Sequence, residues 1–171
     1  MTFRRSVTNR SLAKSPWRDD AMLSWTSAPL ERAGRLAGHA VLTLRLAADR
    51  KDCAVHAYVS EVEADGTVRY VTEGMLRALH RQEQPPPSVY RATWPWRSFT
   101  RADAAPLVPG EPVSLRFALL PTAWRFAAGS RIRLSITGAD ADHFGQVPHG
   151  SPPRFTVHRG GTALALPWRD A

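Results

Sequence analysis

One cysteine in 171 residues, Cys53, leaves no partner for an internal disulfide and no thiolate set for a cysteine-rich zinc site. Between Asp52 and Ala54 it reads as a small buried residue. Lysine is almost as scarce, only Lys14 and Lys51 among 23 basic side chains. No run approaches the roughly 20 apolar residues a membrane-spanning helix needs. Residues 1–20 carry Arg4, Arg5, Arg10, Lys14 and Arg18 but no apolar segment of a secretory signal. These absences point to a soluble, cytoplasmic chain, or a piece of a longer one, with no membrane partner. No Gly-x-Ser-x-Gly elbow occurs among the 11 glycines, and the alternating strand–helix pattern of an α/β-hydrolase is missing too. The six histidines stand beside no nucleophile motif, so no catalytic residue is assigned.

What is present is arginine, aromatic residues and turn formers. The formal net charge of +8 would favour an anionic partner if it were gathered on one face. It is dispersed instead, with Arg4–Arg5, Arg50-Lys51 and Arg131/Arg133 the tightest groupings, and no nucleic-acid-reading motif accompanies it. Nucleic acid is therefore not an expected partner. Hydrophobic residues make up 43% of the chain and there are six tryptophans, which suits a globular core.

Eleven glycines and 14 prolines punctuate short apolar runs. Leu42, Leu44 and Leu46 alternate with Val41, Thr43 and Arg45, the period-two mark of a strand. Val55, Ala57 and Val59 repeat it, with His56 and Tyr58 on the opposite face. Asp65-Gly66 predicts a hairpin into a strand over 67–72, and Gly74 opens a further run over 75–80. Strands follow at 113–120 and around Ile132, Leu134 and Ile136. Gly160-Gly161 reads as the turn of a closing pair, 154–158 with 162–166. A single helical turn is expected near 101–104. The pattern predicts an all-β fold of roughly eight to ten strands, as in a sandwich or jelly roll, over 21–171, with residues 1–20 a basic leader or linker.

Two segments are candidates for contact with a partner or ligand. Trp94, Trp96 and Phe99 sit on a non-strand stretch after the proline cluster at 85–87. They suit a lid, an interdomain contact or a stacking surface for sugar rings. Asp140, Asp142, His143 and Phe144 lie in a loop bounded by Gly138 and Pro148. With His149 these acids and imidazoles could ligate a cation, but their spacing matches no defined site and reads as exposed loop chemistry. No metal and no cofactor are expected.

Three ordered segments carry a resemblance. Leu23-Ser24-Trp25-Thr26, running on to Ala28-Pro29-Leu30, resembles the opening strand of the C-terminal domain of the Xaa-Pro dipeptidyl-peptidase and cocaine esterase-like acyl hydrolases. Asp65-Gly66 followed by Thr72-Glu73-Gly74-Met75-Leu76-Arg77 is similar to that family's hairpin and its next strand. Leu120-Pro121-Thr122-Ala123-Trp124-Arg125-Phe126, then Gly129-Ser130-Arg131-Ile132-Arg133-Leu134-Ser135-Ile136, resembles its most recognisable strand pair, and Pro106-Leu107-Val108-Pro109-Gly110-Glu111 fits the turn before it. The resemblance implies a galactose-binding-like jelly-roll β-sandwich, fused behind an α/β-hydrolase domain that supplies the catalytic triad. That domain would be the partner, in cis or in trans, and the sandwich would pack on it and help wall the substrate pocket. Where relatives carry an aromatic-Pro after the Ile132–Ile136 strand, this chain has Gly138-Ala139-Asp140-Ala141-Asp142-His143-Phe144, and Phe144 takes the aromatic's place. Loss of the partner would leave an apolar patch near 94–99 or 138–148, which self-association could cover. The alternative is a stand-alone module for carbohydrate or another small polar ligand.

Overall fold

The proline-free runs of alternating residues become the strands. The computed structural model describes residues 4–5, 22–140, 143–150 and 152–170. Within them lie β1 (Arg4–Arg5), β2 (Leu23–Thr26), β3 (Gly34–Gly38), β4 (Val41–Ala48), β5 (Ala54–Val62) and β6 (Val68–Arg77). After them come β7 (Val113–Ala118), β8 (Thr122–Phe126), β9 (Arg131–Thr137), β10 (Phe155–Ala165) and β11 (Trp168–Asp170). Among the described residues helix is confined to single 3-10 turns at Ala78–His80 and Arg101–Asp103, the second where the sequence predicts a turn. No helix among the described residues is long and apolar enough to cross a membrane. β1 and β11 raise the strand total above the expected number, and β1 lies within the segment read as a leader, pairing Arg4 with Thr26 and Arg5 with Trp25.

Among the described residues all pairing is antiparallel. One layer is the sheet β1-β2-β9-β5-β6; the other consists of two short sheets, β10-β4-β7 and β11-β3-β8. Those two share one strand order, and the chain passes directly from β3 to β4, β7 to β8 and β10 to β11. They form a single three-stranded ribbon creased across its middle. Gly38 faces Thr122 on one side of the crease and Val41 faces Ala118 on the other. Three steps on one strand thus match four on its neighbour, and the extra residue bends the pair as a β-bulge does.

The two layers enclose one core. Leu42, Leu44 and Leu46 of β4 are fully buried with Val55, Ala57 and Val59 of β5, and Leu115, Phe126, Ile132 and Ile136 complete the cluster. The molecule is an antiparallel β-sandwich, as the alternation predicted. In β5 both faces are buried, because His56 and Tyr58 lie under the loop that follows β9.

The Asp65-Gly66 hairpin forms as expected, with Gly66 at φ +86° and the Asp65 carboxylate accepting from Thr67 N at 2.8 Å. Two expectations need correction. Gly74 opens no separate element but lies inside the continuous β6. Gly160-Gly161 is not a hairpin turn, because both halves of β10 pair with the same strand, β4. His158 faces Arg45 and Ala163 faces Thr43, so five steps on β10 span two on β4, and the glycines take up the excess as a wide bulge. Thr162 closes it, accepting from Arg45 N and donating to His158 O at 2.6 Å.

Cys53 sits in the core with no exposed surface, and burial, with Asp52 adjacent, pushes its thiol up to about 12. Only the thiolate reacts with disulfide reagents. Cys53 should therefore resist a thiol-specific chromogenic disulfide at pH 8 in the native protein and react at once in denaturant. Rapid native labelling would show that the β4–β5 connection opens.

Candidate functional site

The crease of the ribbon meets the free edge of β6, and this contact builds the site. Leu120 N donates to Glu73 O at 2.7 Å, Thr72 Oγ1 donates to Leu120 O at 2.7 Å, and Thr122 Oγ1 donates to Val71 O at 3.3 Å. Such bonds cover an edge that would otherwise invite another chain. The approach requires Gly74, where a Cβ would stand 2.8 Å from Leu119 Cα and 2.9 Å from Ala118 O.

Two loops rise on either side of this contact. The first, residues 84–100, is anchored by Arg97, which is 5% exposed and donates to the carbonyl oxygens of Arg81 (3.1 Å) and Arg116. Burial lowers the pKa of its guanidinium, against the pull of Glu83. Gln84 N donates to Trp96 O at 3.0 Å, and Asp103 accepts from Ser98 and Thr100, which ties down the far end. The loop then projects aromatic rings outward. Trp94 lies 4.6 Å from the His39 ring, whose Nδ1–H donates to Leu119 O at 2.9 Å. Phe99 is 61% exposed, rests edge-on against His80, and has φ +56°, a left-handed conformation costly for a side chain of its size.

The second loop follows β9. Tyr58 donates its hydroxyl proton to Asp140 at 2.6 Å, and the His143 ring lies 3.0 Å from the same carboxylate. Burial works against charge on Asp140, but the bonds from Tyr58 and His143 outweigh it and hold the carboxyl below its ordinary range. The Tyr58 phenol is pushed up by burial and by that same carboxylate. Phe144 covers His56 at 5.2 Å, and burial keeps that imidazole's pKa below its usual value despite Asp140 nearby.

Between the loops lies an open cleft of about 380 Å³. His56, Tyr58 and Glu73 line it together with Met75, Leu120 and the rings of Trp94 and Phe144. A second hollow of about 430 Å³ adjoins it across Met75, Trp94 and Ala118, and holds Tyr90, Trp96 and Phe99. The two aromatic segments singled out in the sequence thus converge on one face. Trp94 and Phe144 line the first hollow, Trp96 and Phe99 the second, while Asp140 and His143 form the polar clasp behind Phe144. Asp142 lies outside the described residues. No three metal-ligating side chains come together among the described residues. His39, His56, Tyr58 and Glu73 were missed. The signal was the His-x-Tyr alternation on β5, read only as the reverse side of a strand.

A groove of about 780 Å³ on another face runs past Pro29, Leu30 and Trp168. Trp168 occupies the space above Gly34, where a Cβ would fall 2.0 Å from its ring.

Comparison with known proteins accounts for this architecture. Residues 6–165 match the model of the X-Pro dipeptidyl-peptidase C-terminal non-catalytic domain. The chain is 45% identical over 141 residues to a "Putative serine esterase" of Mycobacterium bovis, and equally to one of Mycobacterium tuberculosis. Each match covers 82% of this chain and 22% of the relative, so the chain spans about a fifth of their length. Among solved structures, a CocE/NonD family hydrolase from Staphylococcus aureus superposes with a TM-score of 0.68 at 17% identity, over 86% of this chain and 30% of that one. An α-amino acid ester hydrolase superposes at 0.67 and 14% identity, over 87% of this chain and 26% of its own. These structures share the fold. Since the family model runs through nearly the whole sequence, the chain belongs to the C-terminal non-catalytic domain family of the X-Pro dipeptidyl-peptidases.

Proposed function

We propose that this sandwich is the accessory domain of an α/β serine hydrolase, acting on esters or Xaa-Pro amides, that it packs on the catalytic domain through the Tyr90, Trp94 and Phe99 face, and that it helps wall the substrate pocket without supplying a catalytic group. The observation that carries this reading is Phe99, a strained residue that presents most of its ring to solvent beside two other exposed aromatic rings. Exposed aromatic clusters of this kind are what interface cores are made of. The relatives' further length offers the partner: four-fifths of each lies outside the matched region.

A chimera tests it. This chain replaces the matching segment of the full-length mycobacterial relative, and hydrolysis of p-nitrophenyl acetate and of an Xaa-Pro anilide is followed. The chimera should turn over one of these substrates, and the isolated chain neither. Trp94→Ala with Phe99→Gly should lower chimera turnover at least tenfold. In the isolated domain Phe99→Gly should raise stability by about 1 kcal/mol, because glycine accepts positive φ freely. Turnover by the isolated chain that a serine-directed inhibitor abolishes, or full activity of the doubly substituted chimera, would overturn the proposal.

A further inference from the structure

We infer that the cleft between Trp94 and Phe144 binds a small organic cation, an ammonium group on an apolar body. The inference goes beyond the docking role and does not depend on it, since every wall of the cleft comes from this chain.

Charge is the first argument. The protein carries a net +8, yet no arginine or lysine stands among the described residues that line the cleft. Its one formal charge is the carboxylate of Glu73, and the described residues offer that carboxylate no hydrogen bond or ion pair. Asp140 adds a second negative charge just behind Tyr58. An anionic ligand would meet repulsion from both. A neutral apolar ligand would strip water from Glu73 and return nothing.

Shape and chemistry give the second. A volume of about 380 Å³ falls within the roughly 300–1,000 Å³ typical of small-molecule pockets. The rings of Trp94 and Phe144 line the cleft, and aromatic quadrupoles attract cations, while Met75, Leu120 and Pro121 supply apolar contact. The other polar groups do not compete for the charge. The Tyr58 proton is committed to Asp140, and burial favours neutral imidazole at His56. The floor of the cleft is also pre-formed, because the backbone bond from Leu120 N to Glu73 O fixes these two residues relative to each other.

The test is calorimetric titration of the isolated chain with benzylammonium, benzyl alcohol, benzoate and galactose, with the Trp94 indole resonance followed by NMR. Benzylammonium should saturate one site and shift Trp94, benzyl alcohol should bind at least tenfold more weakly, and benzoate and galactose should not bind. Glu73→Gln keeps the backbone carbonyl that accepts from Leu120 and should weaken benzylammonium at least tenfold with no change in melting temperature. Trp94→Leu should weaken it as well. Equal binding of benzyl alcohol, unchanged affinity in the Glu73→Gln protein, saturation by galactose, or no benzylammonium binding would each overturn the inference. Failure here leaves the chimera experiment untouched, and failure of the chimera leaves the cleft untouched.

Discussion

Replacing Glu61 by alanine should lower the free energy of unfolding by about 3 kcal/mol, the sum expected when two buried donors lose their acceptor. Glu61 is a 4% exposed carboxylate on β5, on a face otherwise made of core residues. One of its oxygens accepts from the Trp124 indole at 2.9 Å and the other from Ala127 N at 3.0 Å. It therefore ties the five-stranded layer to the end of the ribbon through β8. A buried carboxylate is tolerated where charge-assisted bonds replace its hydration, and removal of the acceptor strands both N–H groups. Glu61→Gln can satisfy one donor but turns an N–H₂ toward the other, so it should recover only part of the loss. Urea unfolding of the three proteins decides the point. A cost below about 1 kcal/mol for the alanine protein would mean that water reaches both donors and that the tie is peripheral.

Gly74→Val should cost a comparable amount, about 3 kcal/mol, the upper end for overpacking a close-packed contact. Here the obstruction is backbone: the added carbon would meet Leu119 Cα and the Ala118 carbonyl, which cannot swing aside as a side-chain tip can. Relief requires β6 to withdraw from the crease, with loss of the Leu120–Glu73 and Thr72–Leu120 bonds. Hydrogen exchange at the Leu120 amide should accelerate far more than exchange in β4, and benzylammonium binding should disappear with it. A valine protein that melts like the parent and keeps the Leu120 amide protected would show that the approach of β6 to the crease is looser than the geometry indicates.

The layers were legible because their signal is local. Leu42, Leu44 and Leu46, or Ile132, Leu134 and Ile136, advertise a buried face through their own spacing, and Asp65-Gly66 announces its turn through the one conformation glycine accepts cheaply. Pairing partners carry no such mark. Gly160-Gly161 resembled a hairpin because glycine pairs serve turns and bulges alike, and only the shared neighbour β4 separates the two. Gly74 looked like a boundary for a similar reason, its role being to admit a strand roughly 45 residues away in sequence. The site was half legible. Trp94 and Phe144 stood out as aromatic residues in loops, whereas His56, Tyr58 and Glu73 occupy strands, where a polar residue ordinarily faces water. Their convergence depends on the crease, which no single segment encodes.

That crease has a kinetic consequence. Receptors assembled from mobile loops must wait for a competent arrangement, and part of each encounter is wasted. Here the floor of the recess is stitched from one sheet to the other by the Leu120–Glu73 main-chain bond and two threonine side-chain bonds, so the floor itself has little ordering entropy left to lose when a guest arrives. Association should run at a rate set by diffusion and orientation alone, and differences among guests should surface in how long each one stays.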